Sequence, residues 1–174
     1  MLNPRQTIFA RVSSSMALSA LGLLALGSAG CASVVSGNQD TTIHFLVEPK
    51  SDGSFFGWTE ITVDGDINSV GVANLYGVSL GLEQPSTVSD LTFLSTLTGQ
   101  AVTPTALTTV AHLDTFPRDQ PTVSMHIDYL GDLHPLFESS TTICINWTGT
   151  VNPAFTAWPT GGIWLQGDVT INIQ

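Results

Sequence analysis

Residues 163–174, IWLQGDVTINIQ, alternate apolar and polar side chains and indicate the fold most directly. The apolar face carries Ile163, Leu165, Val169, Ile171 and Ile173, and the opposite face carries Trp164, Gln166, Asp168, Thr170 and Asn172. A period of two is that of a β-strand with one face on a core and the other in solvent. The stretch therefore predicts a long, half-buried strand.

The same alternation extends through much of the chain. It recurs in residues 41–48, 58–63, 69–83, 122–130 and 143–147, and the length of 69–83 predicts a bulge or two strands. Thr, Val and Ile are abundant, as strands prefer. Gly, Pro, Asn and Asp separate the patterns at short intervals. The sequence therefore predicts an all-β fold, an antiparallel immunoglobulin-like β-sandwich of about seven to nine strands.

The pattern over residues 143–147 predicts which side chains are buried. Ile143, Ile145 and Trp147 share one face, so we expect Trp147 to lie in the core. Cys144 has no partner for an internal disulfide if Cys31, the other cysteine, is lipidated or removed. We expect Cys144 to be a small buried hydrophobe rather than a reactive thiol.

Two segments interrupt the strand patterns and predict one or two short helical turns, one within 89–94 and one at Asp132–Phe137. The sequences DLTFL at Asp90–Leu94 and DLHPLF at Asp132–Phe137, with the order of the elements, resemble the small immunoglobulin-like sandwiches of exported bacterial lipoproteins. These include domains similar to late-embryogenesis-abundant type 2 domains. The resemblance covers most of the chain after residue 30 and carries over no catalytic residues.

The charge of the chain excludes two classes of partner. Its 174 residues contain 14 acidic and 4 basic side chains, a formal net charge of -10. Nucleic-acid binding depends on Lys and Arg that neutralise phosphates, and adhesion to anionic lipid depends on a basic patch. We therefore expect neither. A hydrophobic content of 43% is too high for a disordered chain and predicts a packed domain.

The first thirty residues have the three parts of a secretory signal peptide. Residues 1–11 contain Arg5 and Arg11, residues 16–26 are apolar, and residues 27–31 are small and end in Cys31. The apolar part is too short to span a bilayer, so we expect residues 1–30 to be removed.

The end of this signal peptide predicts where the protein is located. Residues 28–31, SAGC, resemble a bacterial lipobox, in which the cysteine is acylated. Cys31 would then anchor the protein to a membrane, and we expect the outer membrane, facing the periplasm or the cell surface. The alternative is cleavage nearby, for instance after Ala32, which would release a soluble periplasmic or secreted protein. The predicted organisation is a signal peptide (1–30), a tether (31–40) and one domain (41–174).

Two histidines and two aspartates form a candidate metal site. If Phe116 pairs with Thr122 across the intervening loop, antiparallel register places His112 opposite His126 and Asp114 opposite Ser124. His112, Asp114, His126 and Asp128 then share one face and offer imidazole and carboxylate ligands to zinc or a similar ion. The alternative is an ordinary polar face turned to solvent.

Trp158 and Trp164 form a candidate ligand-binding pair. Trp158 precedes a predicted turn and Trp164 lies on the polar face of the last strand, so both are expected at one end of the sheet. Exposed tryptophans stack on sugars or anchor a protein partner. The alternative is a loop that folds over Trp164.

Residues 77–81, GVSLG, match the G-x-S-x-G motif of hydrolases. That motif requires a strand, a sharp turn and a helix, whereas the pattern around Ser79 predicts a continuous strand and Pro85 follows it. A serine hydrolase is therefore the least favoured hypothesis.

The sequence as a whole predicts a non-enzymatic, exported, lipid-anchored envelope protein that acts as a binding or structural module, with no cofactor. The membrane, through Cys31, and an envelope protein or a glycan are the expected partners. The alternative is a carbohydrate- or metal-binding accessory domain.

Overall fold

A computed structural model describes residues 36–63, 71–137 and 141–174. Within these ranges the elements are β1 (Gly37–Val47), β2 (Ser54–Thr62), β3 (Ala73–Leu82), β4 (Leu94–Val102), β5 (Leu107–Leu113), β6 (Thr122–Ser124), β7 (His126–Ile127), α1 (His134–Phe137), β8 (Thr142–Val151) and β9 (Ile163–Ile173). The predicted signal peptide, Cys31 and the first part of the tether lie outside the described residues.

The strands form two antiparallel sheets. The first sheet has the order β1-β9-β3-β6 and the second has the order β2-β8-β4-β5-β7. Within the described ranges, β4 and β5 are the one pair of paired strands that follow each other directly in the chain. The other connections cross between sheets or return over a longer distance. The prediction of an antiparallel β-sandwich is confirmed.

The core lies between the sheets and follows the alternation of the sequence. In β9 the side chains of Ile163, Leu165, Val169, Ile171 and Ile173 are buried and alternate with more exposed ones. Trp147 of β8 is also buried, as predicted, and its ring stacks on Phe45 of β1 with a centroid distance of 5.0 Å and an interplanar angle of 2°. This contact joins the two sheets.

Gly99 leaves room for the Trp147 ring in the core. A Cβ atom at position 99 would lie 2.7 Å from the Trp147 ring, which is too close for any ordinary contact. Gly99 of β4 is registered opposite Trp147 of β8 and leaves room for the indole. The indole N–H donates to Thr59 Oγ1 of β2 at 2.9 Å, so the one polar atom of the ring is satisfied inside the core.

Four details of the predicted elements need correction. β1 already begins at Gly37, so residues 37–40 belong to the sheet and not to the tether. The predicted strand over 122–130 divides at Met125 into β6 and β7, which join different sheets. Residues 91–93 form a bend and a turn rather than helix. Cys144 is exposed rather than buried, because its neighbours in β8 face the core.

Two other expectations hold. A helical turn forms at His134–Phe137, inside the segment in which it was predicted. β3 shows a register shift between Leu75 and Gly77, the irregularity that the length of its pattern predicted.

Candidate metal centre

The two histidines of the predicted site meet at the edge of the second sheet. β5 and β7 pair so that His112 is opposite His126, which is the register obtained by pairing Phe116 with Thr122. Their rings lie 4.9 Å apart between centroids, at an angle of 66°. The prediction for Asp114 and Ser124 is wrong, because Ser124 belongs to β6 and pairs with Ser79 in the first sheet.

The backbone after β7 brings Asp128 back over β5. The amide of Asp128 donates to the carbonyl of Val110 at 3.0 Å, and the amide of Tyr129 donates to the same carbonyl at 3.3 Å. This fixes the Asp128 carboxylate beside the histidines. Its Oδ2 lies 2.7 Å from Nδ1 of His112, and its Oδ1 lies 3.9 Å from Nε2 of His126.

Three of the four predicted ligands converge. His112, His126 and Asp128 each offer a ligand atom, and these three atoms all lie within 4.8 Å of one another. Tetrahedral zinc with bonds of about 2.0–2.1 Å requires ligand atoms roughly 3.4 Å apart, so the three ligand atoms would have to move to these separations to hold the ion. Asp114, the fourth predicted ligand, is not part of this cluster, and its Oδ2 lies 3.9 Å from Nε2 of His112.

The carboxylates favour the protonated form of His112. The hydrogen bond to Asp128 is the largest cause that raises the pKa of His112, and the negative charges of Asp128 and Asp114 add to it, while partial desolvation opposes them. A metal ion that binds Nδ1 must replace the proton held there. Proton binding and metal binding at His112 therefore compete.

The two predicted tryptophans have different surroundings. Trp158 packs against Phe93 and Phe155, with centroid distances of 5.6 and 5.2 Å, and extends the core. Trp164 is 50% exposed on β9. It lines a groove together with Trp58 of β2, which is 60% exposed and which the sequence reasoning missed.

The signal for Trp58 was present in the sequence. Phe55, Gly57 and Thr59 of β2 are buried, and this alternation places Phe56 and Trp58 on the outer face. The alternation over residues 54–62 is the local signal for this exposed aromatic pair.

Ser79 lies in the middle of a strand. It is registered with Ser124 on one side and with Asp168 on the other, and β3 continues to Leu82. The strand, turn and helix that expose a nucleophilic serine do not form around residue 79.

No family model matches this chain, and no curated protein is significantly similar to it in sequence. In the part of the chain that the structure describes, no helix has the length and apolarity needed to span a bilayer.

Proposed function

We propose that this protein is a non-enzymatic, exported envelope protein, anchored in the outer membrane by a lipid on Cys31, that binds a divalent transition metal. The observation that carries the proposal is the convergence of His112, His126 and Asp128, with three potential ligand atoms within 4.8 Å. The signal peptide and lipobox pattern of residues 1–31 support the proposed export and lipid anchoring.

The donor set favours zinc or a chemically similar ion. Imidazole nitrogen suits zinc, copper and nickel, whereas calcium and magnesium prefer sites made of oxygen ligands. Three protein ligands leave a fourth tetrahedral position for water. Since His126 is largely exposed, the ion would exchange readily with solution, as a protein that collects or passes on a metal requires.

The charge of the domain supports cation binding. Loss of residues 1–30 removes Arg5 and Arg11 and no acidic side chain, so the remaining chain keeps 14 acidic residues against Lys50 and Arg118. An excess of negative charge raises the local concentration of cations around a protein. This long-range attraction acts on any divalent ion, and the imidazoles supply the selectivity.

Zinc titration by calorimetry tests the proposal, with the exported protein first freed of metal by a chelator. We expect one zinc ion per chain and a loss of affinity of at least about tenfold in both His112→Ala and His126→Ala. His44→Ala is the matched control, because His44 also contacts a carboxylate on an outer face, that of Glu83 at 3.3 Å.

Absence of zinc binding by the wild-type protein would refute the proposal. So would zinc binding that survives both substitutions at the β5–β7 site or that depends on His44 instead.

A further inference from the structure

A groove runs between the outermost strands of the two sheets, away from the metal centre. β1 is an edge strand of the first sheet and β2 is an edge strand of the second. The groove between them, here called the β1–β2 groove, has a volume of about 610 Å³. Small-molecule sites commonly measure roughly 300–1,000 Å³, so the groove is large enough for a ligand of several rings.

Aromatic side chains line the β1–β2 groove from both sheets. Trp164 contributes from the first sheet, and Phe56 and Trp58 contribute from the second. All three are exposed large hydrophobic side chains, at 50%, 49% and 60%. Leaving so much aromatic surface in water is unfavourable, which points to a ligand that covers it.

The floor of the groove depends on Gly57. A Cβ atom at this position would lie 3.0 Å from the ring of Phe45. The glycine therefore lets β2 approach Phe45 closely, and Phe45 itself is buried. The floor is thus part of the packed core, so the aromatic rings above it are held on rigid strands rather than on a loop.

The polar groups of the groove are close to charge balance. Lys50 and Glu48 both line it, and His44 contacts Glu83 at 3.3 Å. These groups offer hydrogen-bond donors and acceptors without a dominant sign of charge. A neutral ligand with several hydroxyl groups matches this arrangement better than a strongly charged one.

Further hydrogen-bonding groups extend from Trp58 across the second sheet. Trp58 is registered with Asn146 of β8, and Asn146 is registered with Gln100 of β4. Antiparallel partners point to the same face and adjacent strands lie about 4.8 Å apart, so the indole is followed by two uncharged amides on the outer face. Such a row suits a ligand longer than one ring.

Among the described residues, the cavity between the two sheets is too small to be an alternative ligand site. The cavity between the sheets, lined by apolar side chains that include Ile61 and Leu133, measures about 20 Å³. This is room for about one water molecule and not for an acyl chain. A lipid carried between the sheets is therefore not supported.

We propose that the β1–β2 groove binds a neutral oligosaccharide of β-linked hexopyranoses, with sugar rings stacked on Trp58 and Trp164. Rings of this class carry their C–H groups on two flat faces and their hydroxyls around the edge. They match aromatic walls combined with uncharged or charge-balanced polar groups. This binding function is separate from the proposed metal site and does not depend on it.

Titration with oligosaccharides followed by NMR tests the proposal. The probes are cellotetraose and chitotetraose, with maltotetraose, whose α-linkages bend the chain, for comparison. We expect the β-linked sugars to shift the indole N–H signals of Trp58 and Trp164 saturably, while those of Trp147 and Trp158, packed in the core and against other rings, stay in place. The same shifts should occur with a chelator present, which separates this result from metal binding.

Substitutions decide whether the groove is responsible. Trp58→Ala and Trp164→Ala should each weaken binding by at least about tenfold, a free-energy change of about 1.4 kcal/mol. Tyr76→Ala is the matched control, because Tyr76 is a 71% exposed aromatic residue of β3 outside the groove.

Three outcomes would overturn the proposal. They are no shift up to the solubility limit of the β-linked sugars, shifts confined to Trp158, and binding unchanged in both tryptophan variants. Saturable binding of an extended peptide in place of sugar would assign the groove to a protein partner instead.

Discussion

The hydrogen bond inside the core permits a quantitative test through Thr59→Val. Thr59 and Trp147 are 6% and 1% exposed, and Thr59 Oγ1 accepts from the indole N–H at 2.9 Å. Valine has nearly the same shape as threonine but offers no acceptor. The substitution would leave a buried N–H without a partner while the packing around it stays almost unchanged.

The expected cost follows from that unpaired donor. A buried polar group left without its hydrogen bond costs about 1–3 kcal/mol. For a domain of this size 1 kcal/mol corresponds to about 3–4 °C in melting temperature, so Thr59→Val should lower Tm by roughly 3–12 °C. We expect the midpoint of urea unfolding to fall without a change in its slope.

A double-mutant cycle shows whether the hydrogen bond is the cause. In the Trp147→Phe background the indole N–H is gone, and Thr59→Val should then cost less than about 0.5 kcal/mol. Urea unfolding of the wild type, both single variants and the double variant gives the coupling energy. Equal losses in the two backgrounds, or no loss in the wild-type background, would refute the reasoning.

Three further predictions concern the site, the core and the anchor. The pKa of His112 is raised in the folded state, so His112 should stabilise the fold fully below its ordinary pKa of about 6.5 and lose that contribution as pH rises through the raised pKa. In Asp128→Asn, the pKa of His112 measured by NMR titration should return toward its ordinary value. An unchanged pKa would contradict the assigned cause. Gly99→Ala should destabilise the protein by about 1–3 kcal/mol, because the new methyl group would overlap the Trp147 ring; in thermal unfolding Gly77→Ala, where no described heavy atom lies within 4 Å of the added Cβ, should be nearly neutral, and similar losses in both variants would argue against the overlap. Mass spectrometry of the mature N-terminus should find an acylated Cys31, and an unmodified terminus at residue 33 would instead support cleavage after Ala32.

The sequence predicted the faces of the strands better than their partners. Alternation depends on local geometry alone, which is why the buried side chains of β9 and the position of Trp147 were predicted correctly. The pairing of strands depends on contacts between residues that are far apart in the chain. The change of sheet at Met125 leaves the alternation undisturbed, so no local pattern distinguishes β6 and β7 from one strand.

The same difference between local and long-range information applies to the candidate sites. The approach of His112 to His126 followed from a short loop and its register, and it is confirmed. Trp58 and Trp164 line the same groove, although they are about one hundred residues apart in sequence. Proximity in the chain suggested Trp158 instead, and that residue packs against Phe93, which only the tertiary structure could reveal.

The change of sheet at Met125 also bears on self-association. At that side of the domain one short piece of chain adds β6 to the first sheet and β7 to the second, whereas on the opposite side the long strands β1 and β2 form the margins of the two sheets within the described residues. Exposed margins of this kind are where a strand from another molecule adds. A sugar seated between Trp58 and Trp164 would cover this margin, so ligand occupancy would compete with edge-to-edge association and keep the protein dispersed.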